Sequence, residues 1–139
     1  MIQTYNPEHI AIKLARAHDF NAFAGYETAI REELGYPPFG RLAALRLSGI
    51  NLDKLDSEAN RLFSQLRQIK GRQGQKNLDL LGPVPAPLSQ LKGRYRYRIL
   101  IRAPRQDQIR RLLEPLLSSI EAPKSGIRIA IDIDPVSML

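Results

Sequence analysis

The chain contains no cysteine, which excludes a disulfide framework, a zinc knuckle and a thiol nucleophile. Histidine is scarce. His9 and His18 stand nine residues apart, not at the i, i+4 spacing that would put two zinc ligands on one helix face. No apolar run is long enough to span a bilayer, and the N-terminus lacks the charged-then-apolar pattern of a signal peptide, so the expected location is cytoplasmic. No G-x-x-x-x-G-K-[ST] is present to cradle a triphosphate, and no Ser/His/Asp or Cys/His set suggests a nucleophile. The most telling absence is local: residues 80–106 include no acidic side chain.

What fills that stretch is basic. Lys92, Arg94, Arg96, Arg98, Arg102 and Arg105 all fall within it, and residues 94–98 read Arg-Tyr-Arg-Tyr-Arg before an apolar run at Ile99, Leu100 and Ile101. On a strand, alternate side chains take opposite faces. Arg94, Arg96 and Arg98 then share one face, and Tyr95, Tyr97, Ile99 and Ile101 the other, whereas a helix would scatter them. The tyrosines travel with the isoleucines, so the core is their expected place and base stacking the alternative.

The whole chain agrees with this local bias. Its 139 residues suit one domain, perhaps with a short appendage, and its 43% hydrophobic content suffices for a core. The net charge of +7 favours a polyanionic partner, nucleic acid ahead of a membrane. The excess sits in residues 41–139, because residues 1–40 are net acidic.

In order, residues 1–5 read as the end of a strand. Asn6-Pro7 reads as a helix start, and Asp19 as the cap of a second helix carrying Phe20, Phe23, Ala24, Ile30 and Leu34. Gly35 and the connector Tyr36-Pro37-Pro38-Phe39-Gly40 mark a boundary, giving a leader over 1–35 and a domain over 36–139. Within the domain, 41–50 alternates as a strand. Asn51 caps a long helix that Gly71 ends, residues 72–77 form a basic loop, and 78–81 a short strand. A proline-rich loop over 82–87 leads to the basic strand, and a third helix over 105–120 is bent by Pro115. Residues 127–133 alternate strictly. The order β-α-β-β-α-β predicts an α+β fold of the split βαβ type: a four-stranded sheet with two helices on one face, preceded by a short helical leader. Its second face, or its loops, would be free for a partner.

Five motifs then stand in register: Ile2-Gln3-Thr4-Tyr5-Asn6-Pro7-Glu8-His9, Gly35-Tyr36-Pro37-Pro38-Phe39, Leu81-Gly82-Pro83-x-Pro85-Ala86-Pro87, Gly93-Arg94-Tyr95-Arg96-Tyr97 and Asp132-Ile133-Asp134-Pro135. Together they resemble the C-terminal end of the primosomal protein N-prime (PriA) family of replication-restart DNA helicases, over essentially the whole chain. The resemblance implies that 1–35 ends the second helicase lobe, with a strand remnant and two helices. It implies that 36–139 is a C-terminal DNA-binding domain similar in fold to a small-subunit ribosomal protein. The family's ATP-, Mg- and Zn-binding motifs lie upstream of this segment, so the chain is expected to be a fragment that is not an enzyme by itself and needs no cofactor.

The expected function is binding of sugar-phosphate backbone at branched or single-stranded DNA during primosome assembly, without strong sequence preference. Lys92, Arg94, Arg96 and Arg98 are the candidate contacts, with Arg72 and Lys76 supplied by a loop expected nearby. The resemblance further implies a docking place for the acidic tail of single-stranded-DNA-binding protein at Arg105, Gln106 and Arg110, and other primosome proteins as partners. An RNA-binding ribosomal-type module and a pure protein-docking domain are the alternatives. Asp132 and Asp134 share a strand face but have no third ligand, so turn chemistry rather than a metal is expected there.

Overall fold

The computed structural model describes residues 3–121 and 126–135. Its elements are α1 (Ile10–Arg16), α2 (Phe20–Glu33), β1 (Arg41–Gly49), α3 (Leu52–Gln73), β2 (Asp79–Leu91), β3 (Arg94–Ala103), α4 (Gln106–Leu113), a 3-10 turn (Glu114–Leu116), α5 (Leu117–Glu121) and β4 (Arg128–Ile133). The strands form one antiparallel sheet in the order β2-β3-β1-β4. Both α3 and α4 pack against β1 and β3, so this is the expected split βαβ arrangement with its helical leader.

The core follows from periodicity. In α3, Leu55, Ala59, Leu62 and Leu66 recur at helical spacing and are fully buried. They meet Ala43, Leu45 and Leu47 of β1, Ile99 and Ile101 of β3, and Ile109 and Leu112 of α4. The Asn51 side chain caps α3, its Oδ1 accepting from the Lys54 N–H at 2.9 Å. Pro115 has no N–H to continue α4, and the chain tightens into the 3-10 turn before α5.

Several local expectations are corrected. Residues 3–5 form no strand; no neighbouring strand is there to pair with them among the described residues. Helix α1 starts at Ile10 and is capped by His9, whose Nδ1 accepts from the Ala11 N–H at 3.2 Å, rather than by Asn6. Helix α3 runs through Gly71 and ends at Gly74, whose φ of 63° makes the left-handed turn. The proline-rich segment is part of β2, not a loop. As an edge strand it tolerates missing N–H groups, at the cost of two register shifts, between Leu81 and Val84 and between Pro85 and Gln90.

The sheet's second face is also not uniformly bare. Leu42, Ala44 and Leu100 lie on it and are buried. Ala86, at 8% exposure, shares a small cavity with Ala44, Arg46, Arg96, Arg98 and Leu100. The irregular, proline-rich part of β2 therefore lies over the middle of this face.

The leader is attached by its exit. Arg102 donates to the Leu34 carbonyl at 2.6 Å, and the turn over residues 35–40 is so tight that a Cβ on Gly40 would stand 2.2 Å from the Gly35 oxygen. Gly40→Ala is expected to cost about 1–3 kcal/mol through that overlap. Gly71, where an added Cβ meets nothing within 4 Å, behaves oppositely: Gly71→Ala should gain about 0.5–1 kcal/mol of helix stability. Urea midpoints of the two variants, moving in opposite directions, check both statements.

Candidate nucleic-acid interface

Strand register decides which cations meet. β3 and β1 pair Arg96 with Ser48 and Arg98 with Arg46. β1 and β4 pair Ser48 with Arg128 and Arg46 with Ala130. Directly paired residues share a face, so Arg96, Ser48 and Arg128 form one row across three strands and Arg98, Arg46 and Ala130 the next. Arg96 and Arg128 are separated by two strand spacings, about 10 Å at ~4.8 Å each. Beyond the first row lies the hairpin tip, where Lys92 and Gly93 both take positive φ, 50° and 73°, and close a two-residue turn.

The acids gather at the other end. Asp132 binds Arg46 at 2.9 Å, Asp134 binds Arg41 at 2.8 Å, and Asp79 binds Arg102 at 2.6 Å. Lys92, Arg96 and Arg128 have no ion pair among the described residues. The sheet is thus polarised along its strands, with neutralised ends of β1 and β3 at Arg41 and Arg102 and a cationic end at Arg96 and Arg128. Arg46 and Arg128 are additions to the predicted set. Their alternation parity was readable in the sequence, but their position beside Arg96 and Arg98 depends on register.

Arg94 has a different task. Its guanidinium donates to the Ser48 carbonyl at 3.1 Å and to the Gly126 carbonyl at 2.9 Å, joining the end of β1 to the approach to β4. Tyr95 and Tyr97 pack on the helix-covered side against the core. Burial and a hydrogen bond to Asp56 of α3 raise the Tyr97 phenol above its ordinary pKa. These rings offer no stacking platform on the cationic face.

Arg72 and Lys76 are not beside the comb. They belong to the end of α3 and the turn into β2, and β2 starts opposite Arg102. Arg102 is eight residues along β3 from Arg94, about 26 Å at ~3.3 Å per residue. Arg105, the N-cap of α4, and Gln106 and Arg110 on its first turns are all exposed. Arg105 already donates to Asp107 at 2.9 Å, and Arg111 also bonds Asp107. Those two guanidiniums, Arg111 first, hold the Asp107 carboxyl below its ordinary pKa. Among the described residues no group of three or more His, Cys, Asp or Glu could hold a metal ion, and no helix is long and apolar enough to cross a membrane.

Comparison with known proteins places this geometry in context. Residues 32–136 match the family described as the primosomal protein N C-terminal domain. The chain is 32% identical to the replication restart protein PriA of Bacillus subtilis, covering all of the chain and 17% of that protein. It is 30% identical to the PriA of Synechocystis, covering 99% and 16%, and 37% identical to that of Rickettsia typhi, covering 96% and 19%. It therefore spans about a sixth to a fifth of these relatives' length. A solved structure of a de novo designed protein, Foldit4, shares the fold at a TM-score of 0.51 and 13% identity, over 68% of this chain and 94% of that one.

Two expectations separate structural from available cations. Arg94→Ala should lower stability by about 1–2 kcal/mol through two lost carbonyl contacts, and Arg96→Ala should stay within about 0.5 kcal/mol of the parent in urea unfolding. The Asp107 carboxyl, followed by NMR, should titrate below the ordinary ~3.9, and Arg111→Ala should move it back up. Its folded pKa lies below the unfolded one, so its stabilising effect is present above the unfolded value and is lost as pH falls through the folded one.

Proposed function

This chain belongs to the primosomal protein N C-terminal domain family, and from that premise we propose that it is the DNA-contacting C-terminal module of a replication-restart protein. The observation that carries the reading is the row Arg96–Ser48–Arg128 beside the Lys92 hairpin, a cationic sheet end with no carboxylate paired to Lys92, Arg96 or Arg128 among the described residues. Guanidiniums bind phosphate oxygens in a bidentate manner. Three cations near one sheet end can span neighbouring phosphates of a single strand or of one arm of a fork. With the tyrosines on the core side and aliphatic residues on the middle of the face, little is presented to base edges. Binding is then electrostatic and largely indifferent to sequence.

ATP-driven unwinding is assigned to the parts of the longer relatives that this chain does not span. Primosome proteins and single-stranded-DNA-binding protein are its proposed protein partners. An acidic tail seated at Arg105, Gln106 and Arg110 would compete with Asp107, which already engages Arg105 and Arg111. That internal carboxylate favours the nucleic-acid reading over tail docking as the chain's main task.

The test is a salt titration of binding to a short fork DNA. Replacing Lys92, Arg96 and Arg128 together by Ala should weaken binding to all sequences alike. It should also flatten the slope of log K against log salt by about 2, at ~0.7 per single-strand phosphate. An unchanged slope would sink the reading. Preference for structured RNA over forked DNA at matched salt would transfer it to a ribosomal-type RNA-binding module.

A further inference from the structure

The sheet has two edges, and they are built differently. At the β2 edge, Pro83, Pro85 and Pro87 remove backbone N–H groups and two register shifts break the ladder. Both devices discourage pairing with another chain. β4, at the opposite edge, has no proline, and its pairing with β1 is unbroken from Ala43–Ile133 to Ser48–Arg128. Among the described residues no strand pairs with the outer side of β4.

The backbone groups left over can be named. Asp134 donates its N–H to the Leu42 carbonyl at 2.7 Å, toward β1. Backbone groups alternate sides along an antiparallel strand, so Asp132, Ala130 and Arg128 also direct theirs to β1. Ile129, Ile131 and Ile133 direct theirs outward. The side chains divide in the same way. Arg128, Ala130 and Asp132 share the open face with Ser48, Arg46 and Ala44. Ile129 and Ile131 take the core side, where they are only partly buried, and Ile133 is exposed.

This edge is complementary to itself. Two copies of β4 set antiparallel about a two-fold axis at Ala130 overlap over their whole length. Arg128 of each copy then stands opposite Asp132 of the other, Ile129 opposite Ile131, and Ala130 opposite its own copy. The outward N–H and C=O groups of Ile129 and Ile131 are those that such a pairing bonds. Arg128 and Asp132 fall at the non-bonded positions, where opposed side chains approach most closely. Arg128 has no ion pair among the described residues. Asp132 holds Arg46 through Oδ2 at 2.9 Å, and a carboxylate can accept a second guanidinium. A shift of two residues either way shortens the overlap. It also puts Arg128 opposite Ala130, or opposite Asp134, which Arg41 already holds. A shift of one reverses the faces.

We propose that β4 pairs with β4 of a second copy of this chain, joining the two sheets into one with both open faces on the same side. The occupant is a second copy because the strand supplies its own complement, a base, a small residue and an acid at two-residue spacing. The contact is isologous, and one strand pair is a small interface, so the dimer is weak and reversible. The inference does not rest on the nucleic-acid reading, although the pairing would neutralise Arg128.

Sedimentation of the full chain, free of DNA, over a concentration series tests this. The parent should dimerise reversibly. Arg128→Glu should weaken the dimer about tenfold by making both charge pairs repulsive. Adding Asp132→Arg should restore it to within about threefold, because the pair is then reversed and not lost. Cross-linking reads the register directly. The chain has no cysteine, so Ala130→Cys places a single thiol on the axis, with a Cα separation of about 4.5 Å that a disulfide spans. Mild oxidation should link Ala130→Cys much faster than Ser57→Cys, an exposed position on α3. A parent that stays monomeric at every concentration leaves the edge to a strand of another chain and overturns the proposal. Equal oxidation rates for the two thiol variants, or a dimer indifferent to Arg128→Glu, would also overturn it.

Discussion

The structure depends on one constraint, the two-residue period of an antiparallel strand that is apolar on one side. Ile99, Ile101 and Ala103 of β3 are committed to the core beneath α3 and α4. A slip of one residue would bury Arg98 and Arg102 and expose the isoleucines. Burying those side chains stabilises the fold by a few kcal/mol each, and burying an unpaired guanidinium would cost more. The register of β3 is therefore fixed by its apolar half, and the direction of its arginines follows.

Once the guanidiniums share a face, neighbouring strands decide what each does. At the Arg102 end, Asp79 of β2 supplies a carboxylate and Arg102 becomes a tie to the leader. Two rows inward, Arg46 takes Asp132 from β4. At the far end Arg94 is consumed by two carbonyls. Arg96 and Arg128, in between, flank Ser48 in the register and have no ion pair among the described residues. Five arginines of similar appearance in the sequence thus divide into ion pairs, a backbone clamp and available charge. Isolated exposed ion pairs stabilise little; the clamp and the unpartnered row are the features with consequences.

Much of this was readable in advance. The apolar spacing at Leu55, Ala59, Leu62 and Leu66 announced α3, and Asn51 its start. Alternation placed Arg96 and Tyr97 on opposite faces, and the order of elements carried the fold class. Less readable were features that depend on what is adjacent in space. The stretch over 82–87 has the composition of a loop, yet β3 offers it a partner and it becomes an irregular edge strand over the second face. Gly71 resembles a stop signal, but the helix passes through it because Lys70 and Arg72 are good helix formers and the left-handed turn is available at Gly74. Arg72 and Lys76 were grouped with Lys92 on charge alone, and the length of β3 holds them at opposite ends.

The sequence by itself determined the secondary elements, the face each side chain takes and the cationic character of the domain, since all three follow from local period and composition. Tertiary structure alone decided which arginines are spent and which remain, and that a proline-rich edge covers the aliphatic middle of the open face. The physical reason is that neutralisation and enclosure are set by distances between residues far apart in the chain, and a strand's period carries no information about its neighbours' charge.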